Sequence, residues 1–391
     1  MKKQIQRNQI PIKTTRPKER MANLELLRCV AMLMVVVLHY LDKGNLLPEL
    51  TESRLGGAGA LAWLLESFCI VAVNVYMFIS GYFLCTSSFK LSRLLQLWLQ
   101  IWVYSVVFGL LGAFTGVLRE ATFDTHYLLT LLFPVTMGHY WFMTAYVFLY
   151  LMLPMVGIAV KKMTKQQMRL ALALLLVFFS IGKSVLPVSF EKDAQGYDCL
   201  WYLCVFLTAA YVRRFGVPFL EKKGRGFQLY AGNCLLIFAG TFLLRFLYLR
   251  TGRLDTRLGM CLEYNHILPY LAAIGLFAAF RRLRIEGRFA AMVNRVAPCT
   301  LGVYLLHENI GLRYSWQKWL GAEAVAGGNS LSAAGSLFLC TVVAVAAVFV
   351  CGILVDMARK WIFGGVQRIL LKVGLYRKLM EKIERADELF R

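Results

Sequence analysis

Charge is what this sequence has least of. Only 17% of its 391 residues are Asp, Glu, Lys or Arg, against roughly 25% in ordinary soluble domains. Acid is scarcer still, with 22 Asp and Glu facing 44 Lys and Arg. Hydrophobic residues take up 59% of the chain, which excludes an ordinary soluble fold. No Cys-x-x-Cys pair and no Cys/His group at metal-ligand spacing occurs, so no metal is expected. The ten cysteines lie mostly inside apolar runs and read as small buried hydrophobes. Equally missing are a Ser-His-Asp arrangement, a phosphate-cradling glycine loop and a nucleotide fingerprint. The first apolar run has no small-residue cleavage site behind it, so it is expected to remain as a transmembrane helix.

What is present is a succession of apolar runs near the ~20 residues needed to cross a hydrocarbon core. They fall near 24–41, 61–84, 94–117, 140–160, 170–188, 199–214, 227–249, 266–280, 298–317 and 334–356. The shorter run at 128–137 reads as a re-entrant or interfacial piece. The fold class this implies is all-α, a polytopic membrane bundle of about ten transmembrane helices. The net charge of +22 would suit nucleic acid only as a patch on a compact fold; here it is spread between spans, so no nucleic-acid partner is expected. Counted over alternate loops, 33 of the 44 basic residues fall on the side of the N-terminus and 11 on the other, which puts both termini in the cytoplasm. Three regions follow: a basic tail at 1–22, a membrane domain at 23–356, and a basic amphipathic tail at 357–391 expected to lie along anionic lipid.

Ionisable residues inside spans are costly and mark function by default. The first span holds two beyond its opening turn, Arg28 and His39. Eleven residues is three helical turns plus about 20°, so both point to one face, with a rise of about 16 Å between them. One stripe thus carries a cation near the cytoplasmic boundary and an imidazole beyond mid-membrane.

The run NLELLRCVAMLMVVVLHY resembles the opening helix of the membrane acyltransferase-3 family, whose hallmark is Arg, ten residues, then His. VNVYMFISGYFLC (73–85) resembles the family's Ser-Gly-aromatic signature, with Lys90 and Arg93 following. GHYWFMTAYVFLYLMLP (138–154) and TLGVYLLHE (300–308) resemble its His/aromatic-Trp-Phe and Tyr-Leu-x-His segments. The ordered set covers most of 22–356 and carries the resemblance. It implies an O-acyltransferase that moves an acyl group, usually acetyl, from cytoplasmic acyl-CoA to a hydroxyl of a cell-surface or lipid-linked glycan. Acyl-CoA would be a co-substrate, with no tightly bound cofactor, and the expected location is the plasma membrane of a bacterium.

The residues fit that chemistry. His39 is the candidate general base, since a neutral imidazole suits removal of a hydroxyl proton. Arg28, Lys90 and Arg93 are the candidate donor-binding cations for the phosphates of CoA, with Lys90 and Arg93 spaced to share a helix face. His307 and Glu308 could orient the acceptor or assist proton transfer, and Trp141 could line the acceptor site, although His139, Tyr140 and Trp141 read more simply as an aromatic belt. Asn74 reads as a hydrogen bonder between helices. Arg250, Arg253 and Arg257 crowd a loop on the sparsely basic side, where arginine forks would suit an anionic acceptor. Two other classes compete. A transporter or flippase of a polar glycan-related substrate would show paired broken helices, and Pro154, Pro187, Pro218 and Pro269 instead fall at or near span ends. A sensor or scaffold module would, as the resemblance implies, be fused to a soluble enzyme domain, for which the 35 residues after the last span are expected to leave no room.

Overall fold

A computed structural model describes residues 20–115, 124–186, 193–326 and 331–390. Of the basic N-terminal region expected at 1–22, residues 1–19 lie outside the described residues. Among the described residues every regular element is a helix. Leaving aside pieces of three or four residues, these are in chain order α1 (Ala22–Lys43), α2 (Gly57–Cys69), α3 (Ala72–Leu84), α4 (Leu91–Phe114), α5 (Thr125–Leu132), α6 (Trp141–Lys162), α7 (Lys165–Val185), α8 (Cys199–Phe215), α9 (Arg225–Thr251), α10 (Ile267–Arg281), α11 (Gly287–His307), α12 (Leu331–Leu370) and α13 (Gly374–Glu388).

Eight helical runs among the described residues are long and apolar enough to cross a membrane, with α2 and α3 counted as one run from Gly57 to Leu84. The expected runs at 199–214 and 266–280 are helical too, as α8 and α10, but hold only 17 and 15 residues. At 1.5 Å per residue they are about 25 and 22 Å long. Both are wrapped by protein: α8 packs on α3, α6 and α7, and α10 on α1, α3 and α9. Of the run at 128–137, residues 128–132 fall in the eight-residue α5, started by Asp124, whose side chain accepts from the Tyr127 N–H, and residues 134–137 form a turn.

Lipid offers no hydrophobic gain when two helices meet, so close approach must supply the packing energy. Small residues provide it where α9 crosses α10. A Cβ on Gly275 would lie 2.6 Å from the Tyr230 nitrogen, and one on Gly226 would lie 2.6 Å from the Ala279 nitrogen. Buried polar groups add specific links. Asn74 on α3 donates to the Tyr264 carbonyl at 2.7 Å and accepts from Trp201 Nε1 on α8 at 2.9 Å, the role expected for it.

The first helix is the hub. It touches α2, α3, α10, α11 and α12, burying Leu24, Leu27, Ala31, Val36 and Leu41. Its polar stripe is therefore aimed into protein. At the other end of the chain α12 continues through 356 as one 40-residue helix, so the amphipathic segment begins inside it, with Trp361 and Ile369 exposed beside its basic residues. The last helix, α13, folds back on the start of α4: Asp387 accepts from the Ser92 N–H and hydroxyl, and Phe390 packs edge-on against Phe89.

Candidate active site

The two ionisable residues of the first helix line one cavity of about 330 Å³. Arg28 and Arg93 stand in its wall together with Tyr146, His39, Trp141 and Tyr304. The rest of the wall is almost wholly apolar or aromatic. The helical rise of about 16 Å between Arg28 and His39 gives the cavity a cationic end and an imidazole end, as the spacing predicts.

Each arginine is partly open to solvent. Arg28 pairs with Glu25 one turn earlier at 3.2 Å and keeps 27% of its side chain exposed. Arg93 is exposed as well. Lys90 is placed differently from its expected partner. It is the extended residue that starts α4, with φ −138° and ψ 116°, so the shared helix face that its spacing suggested does not exist. Its backbone N–H and carbonyl both meet the Tyr150 hydroxyl at 3.2 Å, and Lys90 does not line the cavity.

At the other end His39 meets residues from the far end of the chain. Its Nδ1 lies 2.9 Å from Nε2 of His307 and 3.2 Å from a Glu308 carboxylate oxygen. His307 and Glu308 are buried, and the ammonium of Lys43, one turn beyond His39, is seated on the same Glu308 oxygen. His307 Nδ1 lies 2.6 Å from the Val303 carbonyl. A carbonyl only accepts, so this nitrogen carries the proton and the neutral ring presents an unprotonated Nε2. His39 must then donate through Nδ1. Its own Nε2 is left as the basic nitrogen of a residue that lines the cavity. When His39 takes up a proton, the Glu308 carboxylate stands next to the new charge.

The same three residues bring their ligand atoms within 4.8 Å of one another, close enough to consider a metal ion. The contacts speak for hydrogen bonding instead. Lys43 already neutralises Glu308, and a metal at this point would have to evict that ammonium and strip the proton from His39 Nδ1. Dialysis against excess EDTA is therefore expected to leave the transfer rate unchanged. Loss of activity restored by Zn²⁺ would contradict this.

The remaining candidates lie elsewhere. Arg250 and Arg253 are exposed at the end of α9, Arg250 packs over the Phe246 ring at 5.5 Å, and neither they nor Arg257 line the cavity. Trp141 does line it, stacked on Tyr264 and tilted against Tyr197. Two groups escaped the sequence reading. Lys43 lies four residues after His39 on the same face, a visible i, i+4 relation. Asp356 is an acid inside the last apolar run; fully buried, it accepts from Gln100, Tyr104 and Arg359 at 3.1, 3.0 and 2.8 Å and thereby ties α12 to α4.

A family profile described as an acyltransferase domain matches residues 21–355. Neither the curated proteins nor the solved structures contain a match. The matched stretch contains the whole cavity wall and the His39, His307 and Glu308 cluster. With eight helices among the described residues long and apolar enough to cross a membrane, the chain is a membrane acyltransferase and belongs to the acyltransferase-3 family.

Proposed function

We propose that this acyltransferase moves an acyl group, acetyl in the first instance, from cytoplasmic acyl-CoA to a hydroxyl of a cell-surface or lipid-linked glycan. The observation that carries the reading is the pairing, in one cavity, of two arginines at one end with a histidine whose Nε2 is basic at the other. Pyrophosphate and ribose phosphate call for cations that can form forked hydrogen bonds, which Arg28 and Arg93 supply at the mouth. The apolar and aromatic wall between suits the pantetheine arm. The thioester carbonyl then reaches the neighbourhood of His39.

The acceptor hydroxyl attacks the carbonyl carbon as His39 Nε2 takes its proton. The new C–O bond forms, the C–S bond breaks, and the sulfur leaves as a thiolate. The imidazolium returns the proton to it, so the enzyme ends as it began and the products are the acyl ester and free CoA. Glu308 steadies the imidazolium between the two proton transfers. On this reading both termini lie in the cytoplasm with the acyl-CoA, which the excess of basic residues in alternate loops supports, and the enzyme sits in the plasma membrane of a bacterium.

The reading is tested by mass spectrometry of surface and lipid-linked glycans from cells with and without the gene. The expected result is loss of a mass increment of one acetyl or other acyl group per modified sugar, restored by the wild-type gene and not by the His39→Ala variant. Glycans of identical mass in the two strains would contradict it.

A further inference from the structure

The short turn that follows His307 is held in place by residues with no part in the chemistry just described. The backbone N–H of Ile310 donates to His139 Nε2 at 2.8 Å. That nitrogen is therefore unprotonated, and Nδ1 carries the proton toward the Ser105 hydroxyl, 3.2 Å away. Asn309, wholly buried, donates to the Tyr104 carbonyl at 3.0 Å and to the Tyr140 hydroxyl at 3.3 Å, and accepts from the Gly311 N–H at 3.1 Å. The Tyr140 hydroxyl in turn donates to the Leu305 carbonyl at 2.9 Å.

The sequence arranges this locally in two places. From Tyr104 to Phe108 helix α4 widens into a π-turn, a feature found mostly at functional sites, and the Tyr104 carbonyl at its start takes the Asn309 amide. Before α6, Gly138 turns with φ +67°, which lets His139 lie flat on Tyr140 with ring centroids 4.0 Å apart. Burial, with the charge of Arg313 adding to it, pushes the His139 imidazole down to about 3, so it stays neutral at any working pH.

We propose that His139, backed by the π-turn of α4, is a positioning residue: it fixes the Glu308–Gly311 turn and through it the geometry of Glu308 and His307 around His39. The role rests on the reading of His39 as the base, and it asks of His139 only a lone pair and a shape. Around His39 the charged and titratable groups are Lys43 on its own helix, His307 and Glu308 at the end of α11, and Arg313 just beyond.

The test is His139→Phe, which keeps the stacking on Tyr140 and removes the acceptor for the Ile310 N–H. A displacement of about 1 Å in a catalytic group can cost about 10²-fold in rate, and a loss of that order in kcat is expected with the donor KM unchanged. Because Glu308 no longer backs the imidazolium, the acid limb of the kcat profile should move to lower pH. His139→Gln, whose amide oxygen can accept from Ile310, should recover most of the rate. Ser105→Ala, a milder change should the Phe variant fail to fold, should move kcat and the limb in the same directions. Unchanged kcat and limb in the folded variants would overturn the proposal, and so would complete disappearance of the limb, which would make His139 a proton carrier. A second readout does not depend on the reaction. The chain has five histidines, and ¹⁵N spectra of the histidine-labelled protein in detergent should show His39 protonated at Nδ1 in the wild type and mixed tautomers in His139→Phe. An unchanged His39 signal would sink the proposal, whereas full activity of His39→Ala with the expected spectra would sink only the assignment of the base.

Discussion

Replacing His39 by alanine lowers acyl transfer by about 10²- to 10⁴-fold, the span typical for loss of a general base, while the protein still inserts and folds. The fold is expected to survive because the change leaves Lys43 on Glu308, so no buried charge is stranded. What is lost is one hydrogen bond to His307 Nε2, at roughly 1–3 kcal/mol for a group left without its partner. The loss should fall on kcat, with donor KM unmoved, since His39 stands at the far end of the cavity from the arginines. Initial rates of CoA release by purified variant and wild type check this. A rate within a few-fold of wild type would remove His39 from the role of base.

The second large effect concerns the donor. Arg28→Ala should weaken CoA binding by about 10- to 100-fold, taking roughly 1.5–3 kcal/mol for hydrogen bonds to a charged group and about 1.4 kcal/mol per tenfold. Arg28→Lys should recover little of it, because a point charge does not replace a fork. Arg93→Ala should act in the same direction. Lys90→Ala should cost much less, under about fivefold as for a solvent-screened charge, because Lys90 stands outside the cavity wall. Calorimetry with CoA measures all four variants. Equal affinity for wild type and Arg28→Ala would place the donor phosphates elsewhere.

Much of this site can be read in one dimension. Arg28 and His39 face one way because a regular helix repeats its direction over eleven residues, and α1 is regular from Ala22 to Lys43. The same argument fails three residues apart at Lys90, because α4 starts one residue later and the backbone at Lys90 is extended. Helix starts are set by capping and local tertiary contacts, here the Tyr150 hydroxyl, which periodicity does not register. The meeting of His39 with His307, 268 residues further on, depends on how α11 packs on α1, and no spacing encodes it. Nor does a 15-residue apolar run announce whether it faces lipid; α10 can be short because α1, α3 and α9 surround it. Asp356 was visible as an acid within an apolar run, yet its partners Gln100 and Tyr104 lie far away in sequence.

One measurement bears on the central claim most directly. Purified protein in lipid vesicles is given acetyl-CoA carrying a radiolabel on the acetyl group, together with a glycan-lipid extract of its own cells. The account predicts that label enters the glycan fraction in step with release of free CoA, one for one, with wild type, and that both signals vanish with His39→Ala. Equal labelling by the His39→Ala variant, or no CoA release by the wild type, would contradict it.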